Sequence, residues 1–211
     1  MVDNRLLVFD FFAGTRSSTK AFEDAGHTVI SFDNDPQFDV TVQADVFMLT
    51  ADALIARFGQ PDFVWASPPC TAFSVASMGH HWAPNREPKT YSAVKSMELV
   101  AYTRELLERL NPQHGFVIEN PRGMLRKLPM LEGLTRHTVT YCQYGDDRMK
   151  PTDLWTTLKG WEPRAMCKNG EPCHEAAPRG AKTGTQGRGG AVLRSMVPYE
   201  LGEEILGSLN V

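Results

Sequence analysis

The chain has 211 residues, four cysteines and a formal net charge of −3. Its apolar and charged fractions are those of an ordinary water-soluble domain, and no apolar run nears the roughly 20 residues of a membrane span, which argues against a membrane role. The charge balance gives no whole-chain reason to expect nucleic acid. Asp3, Asn4 and Arg5 lead straight into a core strand and not into a secretory signal, so a cytoplasmic location is expected, with thiols used for catalysis or metal binding.

Residues 6–12 are apolar and β-favouring, residues 13–18 are small and turn-forming, and residues 19–25 carry helix formers. Gly26 stops that helix, and residues 27–32 read as a second strand ending in Asp33, Asn34 and Asp35. A βαβ unit of this kind is how doubly wound folds bind a nucleoside: the small-residue loop lets backbone approach the ligand, and the acid accepts from ribose hydroxyls. The loop is not GxGxxG, so an ordinary β–α turn is the alternative. Residues 40–46 predict a short third strand with Asp45 at its end, either a ligand contact or a helix cap, and residues 51–58 predict a helix.

The stretch FVWASPPCTAFS, residues 63–74, organises the rest. Its apolar run reads as a buried strand stopped by Pro68 and Pro69, with Cys70 immediately beyond. A thiol there sits at the carboxyl edge of a sheet, where open α/β folds bind their ligands. The alternative is a buried structural cysteine. Residues 79–88 are rich in breakers and read as a loop. Residues 89–110 form a helix whose apolar face runs through Val94, Met97, Val100 or Ala101, Leu106 and Leu110. Residues 115–121 repeat the earlier pattern, a buried strand tipped by Glu119 and Asn120 before Pro121.

Residues 138–145 are strand-like, and residues 153–157 resume an apolar alternation. Residues 159–190 have almost no core formers and read as an insertion, rich in Gly, Pro, Cys and basic residues, within a single domain of residues 1–211. Between residues 164 and 194, Arg164, Lys168, Arg179, Lys182, Arg188 and Arg194 face only Glu171 and Glu175, which makes a local basic surface. Pro198 opens a final helix over residues 199–209.

With these elements in order, the chain resembles the DNA cytosine-5 methyltransferases. The matching pieces are FDFFAGTRSSTKAFEDAGHTV, SFDND, ASPPCTAFS, IENP and QYGDDRMKP. The resemblance implies a Rossmann-like, doubly wound, mostly parallel α/β fold that binds S-adenosylmethionine, in a small form lacking a separate target recognition domain. It implies Cys70 as nucleophile and Glu119 as its acidic partner, with Arg148 or Lys150 at the cytosine carbonyl or a phosphate. Phe12, Ala13, Gly14 and Thr15 would surround the methionine part of the cofactor. Asp33, with Asn34 beside it, would hold the ribose hydroxyls; Asp45, with Val46, would meet the adenine; and Ser67 and Pro68 would close the far side. The chain departs from the family in three places. Thr71 follows the Pro-Cys pair where Gln is usual, Arg16 and Ser17 replace the later loop glycines, and Arg148-x-Lys150-x-Thr152 replaces Gln-x-Arg-x-Arg.

The expected reaction is methylation of cytosine carbon 5 in DNA through a covalent cysteine adduct, on a base taken out of the stack. The alternatives are the same chemistry on RNA or a free cytidine nucleotide, or a nucleic-acid binder that has lost turnover. Short or relaxed sequence preference is expected, read by the basic insertion and the loop at residues 79–88, with His80, His81 and Trp82 closing over the extruded base or filling its place in the stack; a disordered polar loop is the alternative. Cys142, Cys167, Cys173 and His174 are the remaining thiols and a neighbouring imidazole, and are expected to hold a structural zinc ion; reduced bystander thiols are the alternative.

Overall fold

In the computed structural model, which describes residues 4–175 and 190–209, every strand-forming run joins one sheet. β1 (Leu7–Phe11), β2 (Thr28–Asp33), β3 (Val42–Gln43), β4 (Phe63–Ala66) and β5 (Phe116–Pro121) are parallel. β7 (Pro151–Thr156) pairs antiparallel with β5, and β6 (Thr135–Thr140) pairs antiparallel with β7. The order is β3-β2-β1-β4-β5-β7-β6, so the direction of winding reverses between β1 and β4. Loops leaving those two strands part at this switch point and open a crevice.

The near-continuous apolar runs of β1 and β4 exist because both faces of the sheet are covered. On one face Val8, Phe63, Trp65 and Val117 pack with Phe22 of α1 (Lys20–Asp24) and Leu201 and Ile205 of α6 (Tyr199–Ser208). On the other, Phe9, Phe11, Val64 and Ile118 meet Leu54 of α2 (Ala51–Phe58) and Val100, Leu106 and Leu107 of α4 (Tyr91–Leu110). Each such side chain contributes about 1.5–3 kcal/mol on full burial. Thr50 and Thr90 cap α2 and α4 through their side-chain oxygens, and Asn111 ends α4 in the left-handed conformation.

Several expectations are corrected. Val94 is 38% exposed, and the buried stripe of α4 runs through Ala93, Val100, Thr103, Leu106, Leu107 and Leu110. The third strand keeps only Val42–Gln43 before Asp45 starts a 3-10 turn at Val46–Met48. The stretch after Thr140 is a 3-10 turn, Tyr141–Tyr144, and not strand. Residues 79–88 are not an open loop: α3 (Met78–His81) leads into a bridge between Trp82 and Pro88. Trp82 is buried against Phe73 and donates to the Ala72 carbonyl at 2.7 Å, and His81 Nδ1 lies 2.7 Å from Thr90 Oγ1, so neither side chain faces an extruded base. At the start of the expected insertion, Trp161 is buried with the α6 face of the core. Arg179, Lys182 and Arg188 lie outside the described residues. Among the described residues no helix is long and apolar enough to cross a membrane.

Candidate active site

Two strand ends create the site. β4 stops at Ala66, Pro68 and Pro69 remove two amide donors, and the chain turns so that the Phe73 and Ser74 amides both donate to the Cys70 carbonyl. β5, next in the sheet, delivers Glu119 and Asn120 at the same edge. Asn120 is wholly buried and its Nδ2 donates to the Pro68 carbonyl at 2.8 Å, tying the two strand ends together. Beyond β5, Gly123 lies flat on the cysteine turn. A Cβ there would stand 2.2 Å from the Phe73 carbonyl oxygen, so no larger residue fits without moving that turn.

Cys70, Glu119 and Lys150 line one cavity of about 830 Å³, together with Phe12, Ala13, Gly14 and Thr15 from the end of β1 and Ser67 and Pro68 from β4. Glu119 is buried and accepts from the Tyr141 hydroxyl at 3.0 Å, which leaves its second carboxylate oxygen for the cavity. Lys150 lies over the Tyr141 ring, 4.4 Å from its centroid. Burial, and then Glu119, push the Cys70 thiol above its ordinary pKa, while Lys150 and Arg194 pull it down. Burial lowers the Lys150 pKa, opposed by Glu119 and Cys70. A thiol and an amine that perturb each other beside a buried carboxylate in one cleft are what nucleophilic and acid–base chemistry requires.

Arg148 is not brought to this cavity. Asp146, two residues earlier, holds its guanidinium, and the Leu193 and Met196 carbonyls accept from it at 2.7 and 3.4 Å, so it edges a separate groove.

A second pocket, about 230 Å³, adjoins the first and shares Phe12 and Pro69 with it. Asp33, Asn34, Asp45 and Val46 line it, with Phe32, Phe47 and Leu99 as its apolar walls. Asp33 accepts from the Gly14 and Asp35 amides at 2.9 Å each, and so fixes the loop after β1 as well as edging the pocket. Asp45 caps its 3-10 turn, accepting from the Phe47 amide at 3.0 Å, and still faces the pocket. The loop is strained at two positions, Phe12 and Arg16, both with φ of 59°. Behind it, Asp10 is wholly buried and one oxygen accepts from Ser18 and Thr19; its other oxygen has no partner, and burial pushes its pKa up to about 7.

Sequence reasoning missed three kinds of contributor and placed a fourth, Arg194, only in a general basic surface. Tyr141 depends on the antiparallel pairing of β6. Ser92, Lys95, Ser96 and Leu99 depend on how α4 docks. Arg122 follows Pro121 at the mouth of the larger cavity, and Arg194 with Ser195 reaches it from α5 (Ala191–Ser195). Only Arg122 carried a local signal, a cation directly after a functional strand end.

The three thiols and the imidazole of Cys142, Cys167, Cys173 and His174 are brought together, with ligand atoms all within 4.8 Å of one another.

Comparison with known proteins gives the fold and the family. The Entamoeba histolytica methyltransferase EhMeth has a similar fold, with a TM-score of 0.54 at 14% identity over 83% of this chain; the chain spans 58% of that protein's length. The Probable DNA (cytosine-5)-methyltransferase of Frog virus 3 (isolate Goorha) is 31% identical over 172 residues, which cover 79% of this chain and 77% of that protein. Residues 6–131, which include Cys70 and Glu119, match the C-5 cytosine-specific DNA methylase model, and the chain therefore belongs to the C-5 cytosine-specific DNA methylase family.

Proposed function

We propose that the chain methylates carbon 5 of cytosine in DNA, using S-adenosylmethionine and a transient covalent bond between Cys70 and carbon 6 of the ring. The observation that carries this reading is the convergence of Cys70, Glu119 and Lys150 on one cavity that meets, at Phe12 and Pro69, the pocket edged by Asp33 and Asp45.

The smaller pocket fits the nucleoside part of that cofactor: Phe32, Phe47 and Leu99 offer apolar contact for a purine, and two acids offer acceptors for an amine and for hydroxyls. Bound S-adenosylmethionine supplies an electrophilic methyl group. The rest is the chain's work on cytosine, whose carbon 5 is a poor nucleophile. The Cys70 thiolate adds at carbon 6, and the ring electrons move toward N3. Glu119, held by Tyr141, hydrogen-bonds N3 and the exocyclic amine and neutralises the charge that develops there. Lys150 favours the thiolate against burial and faces the ring's carbonyl side. When carbon 5 has been methylated its proton leaves to solvent, the carbon 6–sulfur bond breaks and the thiolate is restored. Arg122 and Arg194 at the mouth of the cavity suit phosphates flanking an extruded base.

The test is incubation with DNA and methyl-labelled S-adenosylmethionine, followed by mass spectrometry of the nucleosides. Labelled 5-methyldeoxycytidine is expected. Label confined to RNA or free nucleotide would overturn the choice of DNA, and cofactor binding without label in any acceptor would overturn the enzyme reading.

A further inference from the structure

We propose that Cys142, Cys167, Cys173 and His174 form a structural zinc site, a clasp that holds residues 166–175 against the Tyr141–Tyr144 turn and completes one wall of the Cys70 cavity.

The ligands come from two distant parts of the chain. Cys142 lies in the turn after β6, and the other three lie 25 or more residues later. Tetrahedral zinc with bonds of about 2.3 Å to sulfur and about 2.0–2.1 Å to nitrogen sets ligand–ligand edges of roughly 3.5–3.8 Å. His174 Nδ1 lies 3.7 Å from Cys167 Sγ and 3.5 Å from Cys173 Sγ. Cys142 and Cys167 Sγ stand at 2.9 Å, so binding opens this edge by somewhat under about 1 Å. Three thiolates and one imidazole are a donor set that favours zinc over hard, oxygen-seeking cations.

The surroundings are those of a metal site. With Nδ1 as the ligand, the imidazole proton sits on Nε2, which lies 3.4 Å from Asn169 Oδ1, an acceptor that would fix the ring. The Gly170 amide, 3.3 Å from the same nitrogen, gives up its bond on loading. Burial does not hold the segment in place. Across residues 166–175 only Cys167 and His174 are even half-buried, and both are ligands. Two hydrogen bonds pin its ends, the Cys167 amide donating to the Thr140 side-chain Oγ1 and the Glu175 amide to the Asp147 carbonyl, both at 3.0 Å. Between those pins a metal supplies the missing folding energy.

The site reaches the cavity by two routes. Asn169, inside the clasp, lines the cavity itself. Tyr141, the residue before Cys142, donates to Glu119. The significance of that wall for catalysis rests on the proposed function; the metal site does not.

The test uses the full chain, expressed with added zinc and purified reduced without chelator. Elemental analysis and native mass spectrometry should find one zinc ion per chain. Cys173→Ser and His174→Ala should lose it, and Cys70→Ala should keep it. Cys173 is exposed, so its variant should fold, and chelation of the wild-type protein followed by zinc re-addition gives a second route. Hydrogen exchange at residues 141–144 and 166–175 should quicken on chelation and return with zinc. Little or no zinc in the wild type, full zinc in both ligand variants, a disulfide between Cys142 and Cys167, or exchange indifferent to zinc would each overturn the proposal. None of these readouts depends on turnover, so failure of methylation and failure of the metal site are separable.

Discussion

The parallel half of the sheet and the antiparallel edge contribute to the site by different physics. In β1, β4 and β5, apolar runs buried on both faces stop at proline or at a small-residue loop, and the next polar side chain is set at the sheet edge. Beyond residue 131 the site's surroundings are held by particular polar contacts: Tyr141 on Glu119, Lys150 over Tyr141, and the cysteine cluster. Burial positions the proposed nucleophile, Cys70, and its proposed acid, Glu119, whereas contacts from the antiparallel edge would tune them. Changes in the first region should therefore abolish chemistry or cofactor binding, and changes in the second should grade it.

The largest effect expected is that of Cys70→Ala, which should eliminate methyl transfer while calorimetry finds S-adenosylmethionine affinity nearly unchanged, because in the proposed mechanism the thiol acts on the base. Retained turnover would refute the nucleophile. Glu119→Gln keeps the shape and removes the acid, and should lower the single-turnover rate by about 10²–10⁴-fold, the usual contribution of a positioned acid or base. Tyr141→Phe should fall well short of that loss; an equal loss would erase the distinction between placing and tuning.

Asp10 gives a pH test of the buried half. Its folded-state pKa of about 7 lies above the ordinary carboxyl value, so between pH 4 and 7 the folded chain binds a proton that the unfolded chain has released. The stability it contributes is present at the acid end and is lost as pH rises toward 7, with a slope of up to about 1.4 kcal/mol per pH unit. Urea unfolding of the wild type and Asp10→Asn should show the wild type losing ground over this window. A constant difference would mean that Asp10 is ionised throughout.

Asp33→Ala should weaken cofactor binding by about 1–3 kcal/mol, through lost contacts and a loosened Gly14 loop. The smallest effect concerns Arg16, which holds φ of 59°, a left-handed conformation that favours glycine. Its ion pair with Glu23 is long, at 3.6 Å, and partly exposed, so it offsets little. Arg16→Gly should stabilise the fold by about 0.5 kcal/mol, the left-handed strain relieved less the entropy glycine adds to the unfolded chain.

The same contrast explains what could be read in the sequence. The placement of Cys70 and Glu119 at one sheet edge was legible because strand, polar side chain and proline are adjacent in the chain. Asp33 was legible as a strand-end acid and Asp45 as the cap of the turn that follows a short strand. Trp82 was misread because its Gly, Pro and His neighbours suggest an open loop, while Phe73, from the other side of the cysteine turn, buries it. Arg148 was misread because alignment with a motif says nothing of Asp146, which captures its guanidinium. Tyr141, Leu99 and Arg194 reach the pockets only through long-range docking, which no local pattern encodes.

The central claim is that Cys70 forms a bond with the base it methylates, and a trap tests it most directly. In DNA carrying 5-fluorocytosine, the fluorine cannot leave carbon 5 as a cation, so the adduct cannot resolve. With S-adenosylmethionine present, mass spectrometry should find a methylated oligonucleotide bound to the protein, with the peptide map placing the bond on Cys70 and Cys70→Ala forming none. Methyl transfer to unmodified DNA with no trapped complex, or a complex bound through another residue, would contradict the account.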